Sequence, residues 1–249
     1  MESRIFTASF DDGDPMDLKV ANLFARYGLP CTFYVPLSAE RPVLKPDEIR
    51  SLASAFEIGG HGLTHRPLTV IRDTEAWREI ADSRKSLEDI IGAPVAMFCF
   101  PGGRFRSKHL DMLGSAGYLG VRTCELLSLA YPRTQRHIAV LPTTLQLYDR
   151  ESWNYVINLA SRGAVANAIH LRAVHSRSLL ESMEIMLQTC LRTGGVFHLW
   201  GHGWEIDSGR LWETLESALK MVAALRPRVV PLNNSQVIRE AACGGNGNN

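Results

Sequence analysis

Short apolar runs alternate along this chain with segments whose apolar positions recur every three to four residues. Strand-like runs cover residues 4–10, 31–37, 56–60, 95–100, 119–123, 138–147 and 195–200. Helix-period segments cover 16–27, 47–55, 74–91, 107–117, 151–162, 177–192 and 209–225. Asp73 and Thr74 open one of these helices, and Gly92 followed by Pro94 closes it. Strand, helix, strand in repetition implies a parallel sheet, because a crossover helix carries the chain back to the end it started from. About seven such units predict an α/β fold that closes, or nearly closes, into a barrel. No Pro/Gly/Ser-rich linker divides the sequence, so a single domain is expected over residues 1–243. The Gly/Asn tail at 244–249 has nothing to bury and is expected to be disordered. Residues 164–175 show no clear period and read as a helix continuation or a loop over the barrel mouth.

Composition narrows the function without naming it. A 45% hydrophobic content with 21% charged residues suits a globular protein with a real core, and the formal net charge is +1. With no basic face or tail, nothing suggests nucleic acid, and any substrate is held by local chemistry. No run approaches the ~20 apolar residues of a membrane span. The N-terminus lacks the pattern of a secretory signal, so a cytoplasmic home is expected. Cys31, Cys99, Cys124, Cys190 and Cys243 are odd in number, far apart and without a CxxC pair, which reads as reduced thiols.

The polar residues with chemical potential share a position in the pattern. Asp11 and Asp12 end the first strand, His61 follows the third and Pro101–Arg104 follow the fourth. Thr143 and Thr144 sit late in the sixth, and His202 follows the seventh. In α/β barrels the loops at the C-terminal strand ends gather the catalytic groups. His61 and His65 are four apart; on a helical turn their Cβ atoms would lie ~5–6 Å apart, near enough to chelate one ion. Adding a carboxylate gives a His₂-Asp set with open positions. Of Asp11 and Asp12, one can ligate while the other accepts a proton. His198 and His202 have the same spacing but lie along a strand, where four residues span ~13 Å. They are therefore given separate jobs: His202 at the strand end to protonate a leaving group, His198 open between a site role and the core. The paired glycines of Phe100-Pro101-Gly102-Gly103-Arg104 let backbone N–H groups approach a ligand, as an oxyanion hole requires. Trp204, on the loop side, is positioned to stack on a sugar face.

Ser9-Phe-Asp-Asp-Gly13, His61-Gly-Leu-Thr-His65, Phe100-Pro-Gly-Gly103 and Gly201-His-Gly-Trp-Glu205 occur in an order that resembles the polysaccharide deacetylases, carbohydrate esterase family 4. The resemblance runs from about residue 6 to 238. It implies a distorted (β/α) barrel of about seven parallel strands. It implies that Asp12, His61 and His65 hold one divalent metal, zinc foremost, with cobalt or nickel as substitutes. It further implies Asp11 as general base, His202 as general acid and an oxyanion contact near Gly102. The reaction implied is hydrolysis of an N-acyl group on an amino sugar. A cytoplasmic glycan precursor in surface-polysaccharide assembly is the expected partner, of O-antigen or lipopolysaccharide type; oligomeric state is left open. Two departures stand out. Cys99 occupies the place of a family arginine that orients the base, and Gly102 that of a tyrosine; Arg104 or Arg106 is the expected substitute for the arginine. These departures keep two alternatives open: hydrolysis of another non-peptide C–N bond (an amide or cyclic ureide), or a catalytically silent barrel that binds metal or glycan.

Overall fold

The computed structural model of the protein describes residues 3–175 and 177–244. Its centre is one mostly parallel sheet. The strands are β1 (Arg4–Asp11), β2 (Thr32–Val35), β3 (Glu57–Gly60), β4 (Met97–Cys99), β5 (Gly120–Arg122), β6 (Arg133–Gln135), β7 (Ile138–Leu141), β8 (Leu145–Gln146), β9 (Gly195–His202) and β10 (Val230–Pro231). They pair in the order β6-β7-β5-β4-β3-β2-β1-β9-β8, with β10 on β1; only β6–β7 is antiparallel. The helices are α1 (Asp17–Arg26), α2 (Pro46–Ala53), α3 (Asp73–Ile91), α4 (Ser107–Ser115), α5 (Ser152–Arg162), α6 (Leu171–Val174), α7 (Leu179–Thr193), α8 (Gly203–Ser208), α9 (Trp212–Ala224) and α10 (Asn234–Gly244). The sheet curls into a distorted half-barrel, and among the described residues no ladder joins β8 to β7. The seven expected strands are present, except that 138–147 is two strands. Pro142, which has no N–H to donate, ends β7. Thr143 and Thr144 then spend their hydroxyls on the Glu125 and Ser128 carbonyls and face no site.

Strand periodicity separates the two faces. Phe6, Ala8 and Phe10 of β1 join Phe33, Val35, Phe98 and Leu199 in the large apolar layer under the helices. The alternate residues Ile5, Thr7, Ser9 and Asp11 face the other way, into the barrel, as side chains two apart on a strand do. Ile5, Leu141, Val196 and Val237 fill its lower end, with α10 as the plug. Its inner wall is polar in the middle: Asn234 donates to Thr7 (2.8 Å), and Ser9 bonds His198 (2.9 Å). α3 ends as its sequence predicts, with Gly92 left-handed (φ 69°). α7 begins with a reciprocal Ser178–Glu181 capping box. The aperiodic 164–175 stretch forms a 3₁₀ segment (Val165–His170) and α6. Gly244 belongs to α10, and the rest of the expected tail lies outside the described residues.

Candidate active site

The C-terminal strand ends converge as expected, but the two histidines do not lie on a helical turn. His61 leaves β3 into an irregular loop, with Gly62 at φ 80° and His65 itself left-handed at φ 57°. That loop is held by Glu79 of α3. One of its oxygens accepts from the Leu63 and Thr64 amides (2.7 and 2.8 Å), and the other from the Thr64 hydroxyl. The positive φ and the Glu79 oxygen, 3.0 Å from where a Cβ would stand, require glycine at 62. The result is a pair of rings 4.8 Å apart. Asp12, one residue past β1 at φ 76°, places Oδ1 3.4 Å from His61 Nε2 and 3.1 Å from His65 Nε2. Ligands bound at ~2.0–2.1 Å in a tetrahedron stand ~3.3 Å apart, so this donor set fits a divalent transition ion. Two neighbours orient it. His61 Nδ1 donates to the Cys99 carbonyl (2.8 Å), which leaves Nε2 free to ligate. Trp204 Nε1 donates to Asp12 Oδ2 (2.9 Å). Burial pushes the Asp12 carboxyl up, but hydrogen bonds from His61 and His65, with the charge of His202, hold it well below the usual carboxylate range.

Asp11 ends β1 on the inward face and is almost fully buried. Its partner is Arg122 of β5, wholly buried, whose guanidinium donates to Asp11 and lies against the Tyr34 and Trp200 rings (5.2 and 4.9 Å). Arg122 is the register partner of Cys99 across β4 and β5. The arginine expected at 99 is thus supplied one strand over, pointing the same way. Cys99 occupies the vacated space, its thiol 3.8 Å from Asp11. The two substitutes expected from the sequence do not reach in: Arg104 is exposed and lines no part of the cavity, and Arg106 donates to the Thr69 carbonyl (3.0 Å). A signal for Arg122 was present in the sequence. A charged residue ending the otherwise apolar strand Gly-Val-Arg must be paired when buried.

His202 closes β9 as the register partner of Asp11, so the two proton-handling candidates face each other across adjacent strands. Its Nδ1 bonds Glu205 (2.6 Å), and its Nε2 stands 3.9 Å from Asp12 Oδ2. Burial lowers the His202 pKa, but the Glu205 hydrogen bond and the charges of Asp11 and Asp12 outweigh it and push the value up to about 9. Glu205 is steadied by Gln146 (2.8 Å), which in turn accepts from Arg150. β9 continues unbroken through Gly201, so His198 and His202 are well separated. His198 is a core residue, held by Ser9 and by the Pro142 carbonyl (3.1 Å).

Asp11, Asp12, His61, His65 and His202 line one cavity of about 280 Å³, and Gly102 and Gly103 form part of its wall. Gly103 spends its amide on the Phe100 carbonyl (2.8 Å), which leaves Gly102 as the glycine of that turn considered for an oxyanion contact. Trp204 is not placed as a sugar platform: its N–H is committed to Asp12, and the Arg41 guanidinium covers its ring at 4.0 Å. The cavity also holds residues that motif reading passed over, Arg150, Arg162 and Cys124 among them. The Cys124 thiol accepts from Arg122 (3.3 Å); a hydrogen bond from Cys99, with the Arg122 and Arg162 charges, overcomes burial and lowers its pKa below the usual thiol range. The five cysteines are free thiols, as expected.

A two-histidine, one-carboxylate donor set beside a carboxylate and a histidine in one cavity is an arrangement that can support metal-assisted hydrolysis. Residues 1–121 match the polysaccharide deacetylase family, the family that the motifs resemble; Gly201–Glu205 lies beyond the matched residues. Over 98% of this chain, the fold superposes on 92% of a putative polysaccharide deacetylase from Mycobacterium smegmatis (TM-score 0.69, 14% identity). It also superposes on Puue allantoinase (TM-score 0.69, 11% identity, 95% of this chain and 90% of that one). A family 4 pseudoenzyme from Bacillus anthracis is more distant (TM-score 0.54, 12% identity, 95% and 66%). No curated protein matches the sequence. Among the described residues no helix is long and apolar enough to cross a membrane.

Proposed function

We propose that this protein is a metal-dependent deacylase that hydrolyses the N-acyl group of an amino sugar. The observation that carries the reading is that Asp11 and His202, register partners on adjacent strands, line one cavity with the Asp12–His61–His65 donor set. A divalent ion bound there, zinc foremost with cobalt or nickel as substitutes, would supply a Lewis acid and lower the pKa of water. Asp11, fixed by Arg122, accepts the proton released as water adds to the amide carbonyl. The Gly102 N–H is the donor for the developing oxyanion. His202, kept protonated by Glu205, gives its proton to the departing amine as the C–N bond breaks. The products are a carboxylic acid and a free amino sugar. A cavity of about 280 Å³ suits one sugar ring, and the substrate proposed is a cytoplasmic glycan precursor of surface-polysaccharide assembly.

The test is release of acetate or formate from N-acylated sugars before and after chelation. Activity that survives removal of all metal refutes the mechanism. Asp11→Asn is expected to keep its metal and lose turnover. A cyclic ureide or simple amide is the second reading; the absent side chain at Gly102, which opens that wall of the cavity, favours it. A panel containing both substrate classes separates the two. The silent-barrel reading rested on a missing arginine and loses that motive with Arg122 beside Asp11.

A further inference from the structure

Two arginines line the same cavity as the candidate catalytic groups and have no anionic partner among the described residues. Arg150 lies one residue before the Glu151 N-cap of α5 and Arg162 ends that helix, so the two sit at its opposite ends while both line the cavity. Each is held by a neutral acceptor. Arg150 donates through Nε (2.9 Å) and one terminal nitrogen to the Gln146 side-chain oxygen, and Arg162 donates to the Gly103 carbonyl. Most of the five N–H donors of each guanidinium remain unused. Among the described residues neither arginine pairs with a carboxylate, although the other charges of the site are matched. Asp11 has Arg122, Glu205 has His202, and Asp12 has two histidines. A divalent ion in the donor set would add further positive charge. A neutral sugar gains nothing from that field, whereas an anion gains both Coulomb attraction and forked hydrogen bonds to guanidinium groups already oriented by their neutral contacts.

We infer that the substrate carries a carboxylate or phosphate group besides its N-acyl group, and that Arg150 and Arg162 bind that anion at the cavity mouth. The inference rests on the deacylase reading and narrows its substrate class to acidic N-acyl amino sugars, either uronates or sugar phosphates. Neither residue touches the reacting atoms; they decide which amide is presented to Asp11 and His202.

The test uses the metal-loaded full chain with three probes: N-acetylglucosamine, its 1-phosphate and its 6-carboxylate analogue. Binding is measured by calorimetry in the turnover-deficient Asp11→Asn protein, and acetate release in the unsubstituted protein. At least one acidic probe is expected to bind about 100-fold tighter than the neutral sugar, roughly tenfold for each charge-assisted contact, and the tighter of the two identifies the anion. Arg150→Gln placed on Asp11→Asn should remove about tenfold of that preference. Adding Arg162→Gln should erase it, with melting curves confirming a folded protein. Because Arg162 also holds the Gly103 loop, Arg150→Gln alone is sufficient to decide the case. Equal affinity for neutral and acidic probes, or a preference indifferent to Arg150→Gln, overturns the inference and leaves the deacylase reading intact. Arginine-dependent binding of an acidic probe with no acyl release from any sugar sustains the anion site and overturns the deacylase reading instead.

Discussion

Replacing Arg122 by methionine probes the link between the fold and the chemistry most directly. The side chain is wholly buried, and the Asp11 carboxyl it pairs with is 3% exposed. Methionine fills most of the same volume between Tyr34 and Trp200 but leaves the carboxylate a lone buried anion. Breaking a buried pair on one side costs about 3–5 kcal/mol. That is a large share of the 5–15 kcal/mol that holds a typical domain, so the variant should fold with a sharply lower denaturation midpoint. A carboxylate left without its counter-charge takes up a proton instead, and in that form it accepts none from water. Loss of a general base lowers the rate about 10²–10⁴-fold. Activity should therefore collapse at neutral pH and recover in part as pH rises, while metal content stays unchanged if Asp12, His61 and His65 are the ligands, as proposed. The double variant Asp11→Asn/Arg122→Met, which removes both charges, should regain most of the stability and none of the activity. Chemical denaturation followed by a pH–rate profile measures all of this. If Arg122→Met unfolds within 1 kcal/mol of the unsubstituted protein and keeps its pH profile, the pair does not carry the role assigned to it.

Three further outcomes follow from the same contacts. Trp204→Phe keeps the ring and removes the N–H on Asp12, so metal affinity should fall about 10–100-fold, read by chelator competition; unchanged affinity would mean the indole is only packing. In the metal-free protein His202 binds its proton more tightly when folded (about 9) than when unfolded (about 6.5). Its contribution, on the order of 3 kcal/mol, is complete below about pH 6.5 and is lost as pH rises through about 9. Melting temperatures across that window should fall, and Glu205→Gln should flatten the fall. Gly103→Ala places a Cβ 2.7 Å from the Cys124 sulfur on a backbone at φ 65°. It should cost about 1–3 kcal/mol in stability and distort the Gly102 turn, lowering kcat more than it raises KM.

Much of this was legible along the chain. A strand's period of two decides that Asp11 shares a face with Thr7 and Ser9. Alternation of strands and helices decides that the ends of β1, β3, β4 and β9 open at one rim, and the motifs there name Asp12, His61, His65 and His202. Three-dimensional pairing decided the rest, because it depends on contacts with no fixed sequence separation. Cys99 and Arg122 became interchangeable as neighbours of Asp11 only through the β4–β5 register. The two histidines come together through a loop buttressed by Glu79 rather than through helical spacing. Trp204 turned from a sugar platform into a brace for Asp12 because α8 directs its N–H inward. Local periodicity reports which way a side chain points. Only the folded sheet determines what it meets there.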